Sequence, residues 1–154
     1  MTKLTLAQWR TALEGAATEI ATNAFSFPGA KIFDPIGHEA AAKLVGAHIP
    51  VLGGGGAFDL ALVASPENCL ALSRAILYAG PEQVLRDAEV ADAIGEVVNM
   101  LAGSVKRRMN GVDLELGLPI FLHGYIQPTD RLLVTAFPTR FGTIETMVLI
   151  TGQK

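Results

Sequence analysis

The sequence predicts an α+β fold: an antiparallel sheet covered by helices on one side. Two observations carry this. Apolar residues recur at helical spacing in some stretches and alternate at strand spacing in others. The strand-like runs also follow one another across Gly- and Pro-rich turns, as hairpins do, instead of alternating singly with helices. The resulting order is α-β-β-α-α-β-β-β. At 154 residues and 16.2 kDa the chain has room for one core, so residues 1–154 are expected to form a single domain.

The first helix starts at Thr5 and Gln8, which have capping-box spacing. Leu6, Trp9, Leu13, Ala16, Ala17, Ile20 and Ala24 make its apolar stripe, and Phe27-Pro28-Gly29 ends it. Residues 26–47 are the least readable segment, with a short helix expected over His38–Val45. Ile49–Leu52 and Ala57–Ala64 read as strands joined by Gly53–Gly56. In the second, Phe58, Leu60 and Leu62 alternate with Ala57, Asp59 and Ala61, the pattern of a sheet with one face buried. Ser65 caps the next helix and Pro66 occupies its first position; Gly80-Pro81 stops it after about Ala79. A longer helix follows from about Asp87 to Met109. Three strands close the chain, at about Leu114–Leu122, Arg131–Phe137 and Thr143–Thr151, with turns at Gly124–Asp130 and Pro138–Gly142.

Composition excludes several classes of function. Twelve Lys and Arg stand against fifteen Asp and Glu, a net charge of −3, so the basic excess of a nucleic-acid or anionic-membrane binder is missing. Half the residues are hydrophobic and 18% are charged, which excludes a disordered chain. A single cysteine, Cys69, excludes a disulfide framework within the chain. The first ten residues lack a signal-peptide core. The stretch Leu44–Phe58 is too short, and too broken by Pro50 and Gly53–Gly56, to span a bilayer. A soluble cytoplasmic protein is expected. Its mean hydropathy of +0.38 is high for so small a domain, which suggests apolar surface covered by a second copy in a homodimer.

The long helix carries the most informative pattern. Val90, Ile94, Val97, Val98, Leu101, Val105 and Met109 fall on one face, and Asp92, Glu96, Asn99 and Lys106 on the other. Gly95 and Gly103 flank Asn99 by one turn on each side, although an interior glycine costs a helix about 1 kcal/mol relative to alanine. A steric reason fits: bare positions let another protein approach closely, with Glu96 and Asn99 projecting together from the patch. The alternative is an ordinary pair of solvated residues.

The stretch Asp92-Ala93-Ile94-Gly95-Glu96-Val97-Val98-Asn99-Met100-Leu101-Ala102-Gly103 resembles the signature helix of CheX-like chemotaxis phosphatases, in the CheC/CheX/FliY group. The resemblance covers about Ile49 to Gly124 and takes in the turn Gly53–Gly56, the strand after it, and Leu118-Pro119-Ile120. It implies a CheC-like fold and a phosphatase acting on a phosphorylated CheY-like receiver protein. On that resemblance Asn99 matches the residue whose amide orients the attacking water, and Glu96 the residue that pairs with the receiver's lysine. Asp92, Gly95, Gly103 and Lys106 would contribute to receiver binding. No cofactor of the chain's own is implied; Mg²⁺ would sit on the receiver. The first helix offers Glu19 and Asn23, four apart instead of three, so one motif is counted, as in CheX-type homodimers whose sheets join edge to edge. Lys106-Arg107-Arg108 would suit an acidic receiver surface, but the negative end of the helix dipole explains these cations as well and is the preferred reading. A receiver- or flagellar-partner-binding module of the same fold, without catalysis, is the alternative function.

Competing sites are weaker. Gly53–Gly56 lacks a following Lys-Ser/Thr and leads into a strand, so a hairpin turn is preferred to a phosphate cradle. His38, His48 and His123 are isolated, and no metal site is expected. Cys69, among Leu70, Leu72 and Ile76, reads as a buried structural thiol.

Overall fold

A computed structural model describes residues 5–37, 44–53, 55–124 and 132–153. Helix α1 (Leu6–Asn23) opens with the expected reciprocal cap: Gln8 N donates to Thr5 Oγ1 at 3.2 Å and Thr5 N to Gln8 Oε1 at 2.7 Å. Trp9, Ala12, Leu13, Ala16, Ala17, Ile20 and Ala21 are buried along one face. Leu6 departs from the expected stripe. It lies in the first turn, ahead of the first core contact at Trp9, and is exposed.

Two very short strands follow, β1 (Ala30–Ile32) and β2 (Ile36–Gly37). Next come β3 (Leu44–Gly53) and β4 (Gly56–Ala64), paired from Val45↔Ala64 to Gly53↔Gly56. The expected helix over 38–45 is corrected at its end, since Leu44 and Val45 belong to β3; residues 38–43 lie outside the described residues. Helix α2 (Pro66–Leu77) has Ser65 Oγ accepting from Asn68 N at 3.2 Å. It stops at Tyr78, earlier than Gly80-Pro81 suggested, because Tyr78 turns left-handed with φ of 51°. Helix α3 (Asp87–Arg108) precedes β5 (Leu114–Leu116), β6 (Ile120–Gly124), β7 (Leu132–Phe141) and β8 (Ile144–Gln153).

Among the described residues the strands form one antiparallel eight-stranded sheet. Its centre runs β7-β8-β4-β3. β1 and β2 pair in tandem with β7, while β5 and β6 pair in tandem with β3. The expected strand Leu114–Leu122 is therefore two, interrupted at Gly117-Leu118-Pro119, where Gly117 N bonds Pro50 O at 2.9 Å. The turn expected at Pro138–Gly142 is also corrected: β7 runs through Pro138, and the hairpin closes at Phe141↔Ile144. The proline is tolerated because its carbonyl faces the gap between β1 and β2, where Phe33 N reaches it at 2.9 Å. Its missing N–H falls in that same gap.

The main core lies between the sheet and the helices, with Leu13, Ile49, Leu60, Leu62, Leu72, Ile94, Leu101 and Phe137 fully buried. The opposite sheet face is not simply polar, contrary to the alternation expected for β4. Ala61 and Val63 are buried there with Val134, Ala136 and Leu149. β4 is central, so residues of the flanking strands cover its small side chains; Ala61 and Ala136 both register with Leu149. No described helix is long and apolar enough to cross a membrane.

Candidate functional site

Helix α3 presents the ridge on which the candidate residues stand. At its start Arg86 N donates to Glu89 Oε1 at 3.2 Å, and Arg86 Nε to the same oxygen at 2.9 Å. These hydrogen bonds hold the Glu89 carboxyl below the usual carboxylate range. Ala93, Ile94, Val97, Val98, Leu101, Ala102, Ser104 and Val105 anchor the inner face. Asp92, Glu96, Asn99 and Lys106 are all exposed on the outer face. Among the described residues no side-chain hydrogen bond within the chain engages Glu96 or Asn99; the helix's own side-chain bonds lie at its two ends.

The two flanking glycines are not demanded by the fold. A Cβ on Gly95 would lie 3.8 Å from Pro119 Cβ, and one on Gly103 3.7 Å from Arg107 Nη1, both ordinary van der Waals contact. Gly15 on α1 is the contrast. A Cβ there would come within 2.5 Å of Arg108 Nη1 and 2.9 Å of Arg108 Cζ, so the Arg108 guanidinium, the far end of a flexible side chain, would have to shift. The fold has room for a side chain at both positions 95 and 103.

The ridge separates two grooves. Asn99 lines the one between α1 and α3, together with Asn23, Met100, Gly103 and Arg107. Glu96 and Asp92 line the other, between α2 and α3, with Ile76 and Leu77. Beside Gly95 the β5–β6 break brings in Pro119, whose neighbour Leu118 is 82% exposed. An acid, an amide, two bare backbone turns and an apolar knob thus share one side of the molecule.

Sequence reasoning missed the polar seam joining α1 to α3. Glu19 accepts hydrogen bonds from Ser104 Oγ, from Arg107 Nη2 at 3.1 Å and from Arg108 Nη2 at 3.4 Å. Arg108 Nε also donates to Ser104 Oγ at 3.2 Å. The Ser104 hydrogen bond, followed by the two arginines, holds the Glu19 carboxyl below its ordinary value. Arg107 and Arg108 are therefore engaged within the chain, and of the three terminal cations Lys106 alone makes no ion pair among the described residues. The only advance signal for this seam was the pair Glu19 and Asn23 on α1.

The other candidates sort simply. The β3–β4 hairpin closes at the pair Gly53↔Gly56, with φ of 130° at Gly53 and 90° at Gly55, and leads into strand β4. His48 Nδ1 lies 3.1 Å from Asp59 Oδ1 on the sheet, three register positions from His123, which pairs with Val45; His38 lies outside the described residues. Among the described residues no group of three or more His, Cys, Asp and Glu could hold a metal. Cys69 is buried, donates to Val45 O at 3.3 Å, and has its thiol pushed up to about 11 by burial. It stays protonated at neutral pH, which disfavours a nucleophilic role.

Known proteins share this fold. The family model described as chemotaxis phosphatase CheX matches residues 45–128, just over half of the chain. No curated protein matches. Among solved structures, a CheC-like superfamily protein from Shewanella sp. PV-4 superposes with a TM-score of 0.75 at 18% identity, over 98% of this chain and 99% of that one. The chemotaxis protein CheX of Desulfovibrio desulfuricans gives 0.71 at 18% identity, over 92% and 97%. A structure from Borrelia burgdorferi, a complex of CheX, CheY, BeF₃ and Mg²⁺, gives 0.70 at 13% identity, over 95% and 97%. At these identities the superpositions establish the fold.

Proposed function

The chain belongs to the CheX family of chemotaxis phosphatases, and from that premise we propose that it hydrolyses the aspartyl phosphate of a CheY-like receiver with Glu96 and Asn99. Water attacks the phosphorus, the bond to the aspartyl oxygen breaks, and aspartate and inorganic phosphate leave. This transfer needs an in-line water and stabilisation of charge on the phosphoryl oxygens. The receiver supplies Mg²⁺ and a lysine. The chain supplies orientation. The Asn99 amide both donates and accepts, so it holds a water without placing negative charge beside the phosphate. The Glu96 carboxylate pairs with the receiver lysine, while Asp92, Gly95, Gly103 and Lys106 lie along the contact.

One observation carries the reading: Glu96 and Asn99 stand exposed together, flanked by glycines that the fold does not require. The Borrelia complex, which pairs a CheX with a CheY, supports a receiver as the partner. A cytoplasmic location follows from such a partner. A homodimer is part of the proposal, supported by the mean hydropathy of +0.38 and by exposed Ile120 and Phe121 on β6.

Phosphate release from several phosphorylated CheY-type receivers tests the enzyme. Wild type is expected to accelerate release at least about tenfold over receiver self-hydrolysis. Asn99→Ala should remove about 10²-fold or all of that gain, the scale expected when a reacting group loses its position. An unchanged release rate with wild type across the receivers defeats the phosphatase reading. Retained receiver binding in that case favours the non-catalytic module.

A further inference from the structure

The bare turn at Gly103 has an arginine laid beside it. Arg107 Nη1 would lie 3.7 Å from a Cβ on Gly103, so the guanidinium folds back over the preceding turn, the direction that long helical side chains take. It is held there. Nη2 donates to Glu19 Oε1 at 3.1 Å and Oε2 at 3.3 Å, and Glu19 is fixed in turn by Ser104 and Arg108. Ser104 is 1% exposed, so the anchor is rooted in the core, whereas the Arg107 side chain is 66% exposed. Fixing an exposed arginine costs rotamer entropy. Here the chain has met that cost before any partner arrives.

The position matters as much as the restraint. The guanidinium sits at the level of Gly103, four residues or about 6 Å of helix rise beyond Asn99. Arg107, Gly103, Asn99 and, from α1, Asn23 line one groove. Charge is zoned along the same helix: Asp87, Glu89, Asp92 and Glu96 come before Asn99, and Lys106, Arg107 and Arg108 after it. Glu19 offsets only part of the positive end.

We infer that Arg107, preset by Glu19 beside Gly103, is a specificity-determining residue that binds an acidic side chain of the docked receiver in the groove between α1 and α3. The inference rests on reading Glu96 and Asn99 as the receiver-phosphatase site, and it adds an orientation. The receiver's lysine meets the acidic end of the ridge and an acidic residue meets Arg107. A receiver docked the other way round would bring like charges together at both ends.

The test compares wild type with Arg107→Gln, Glu19→Gln and Asn99→Ala. Steady-state dephosphorylation of CheY-type receivers would be measured together with the Kd of the same receivers loaded with beryllofluoride, at low and high salt. For Arg107→Gln the expected result is a rise of about five- to tenfold in both KM and Kd. kcat should stay within about twofold, and the salt dependence of Kd should be shallower, as for a contact acting through charge. Glu19→Gln should leave the salt dependence of Kd at least as steep as in wild type, because the cation remains and its neutralising partner is gone. Wild-type KM, Kd and salt dependence in Arg107→Gln, with Asn99→Ala inactive, would overturn the role of Arg107 and leave the phosphatase reading standing. A rise in Kd that appears only with a large fall in melting temperature, and without a change in salt dependence, would also overturn it. If wild type binds receivers but does not dephosphorylate them, the phosphatase reading fails and the Kd comparison still decides Arg107. If wild type does neither, both fail.

Discussion

Glu19 is the residue on which two helices meet, and its ionisation should be visible in stability. Ser104, Arg107 and Arg108 hold its carboxyl below the ordinary value of 4.5. A depressed carboxylate stabilises the fold fully above its unfolded value, and that contribution is lost as pH falls through the lower folded value. Wild type should therefore melt above Glu19→Gln near pH 7, and the gap should close as the pH drops below about 4. A gap independent of pH between about 7 and 3 would show that the seam is not electrostatic. At this scale legibility followed distance along the chain. Glu96 and Asn99 could be paired in advance because three residues on one helix must share a face. Glu19 and Arg107 lie 88 positions apart, and no periodicity within either helix reports the other.

Helix α3 was readable as an element because its apolar stripe and its exposed face each repeat at the helical period; the faces assigned from sequence are those observed. What periodicity could not tell was why it carries glycines. The space around Gly95 and Gly103 turns this into a measurable contrast. Gly95→Ala and Gly103→Ala should each stabilise the protein by about 0.5–1 kcal/mol in denaturant unfolding, since alanine favours the helix and its methyl group fits. The same substitutions should raise KM for a phosphorylated receiver. Gly103→Leu should do so more severely, by also displacing the Arg107 guanidinium. A stabilised variant with unaltered KM would remove the close-approach explanation. The short strands were illegible for another reason. β1 and β2 span three and two residues, too few to display an alternation, and they are strands because β7 offers them a partner.

The whole sheet leaves two kinds of border. β1 and β2 line β7, and β5 and β6 line β3; among the described residues nothing pairs with the outer side of β6. Ile120 and Phe121 on that strand are 53% and 42% exposed. A lysine on an edge strand opposes strand addition. The double variant Ile120→Lys, Phe121→Lys should then convert the proposed dimer to a monomer in light scattering while its circular dichroism stays that of wild type. An unchanged mass in the variant would place any dimer contact elsewhere. The amino-acid sequence alone determined the fold class, the extents of α1, α2 and α3 to within a few residues, and the ridge of α3 with its acid and amide, because each of these is written in local spacing. Only the tertiary structure decided that α1 supplies a second wall to the Asn99 groove. It alone showed the open space at Gly95 and Gly103, the burial of both faces of β4, and the split of the β5–β6 strand. Those outcomes depend on which elements become neighbours, and contact between distant segments leaves no trace in the period of either.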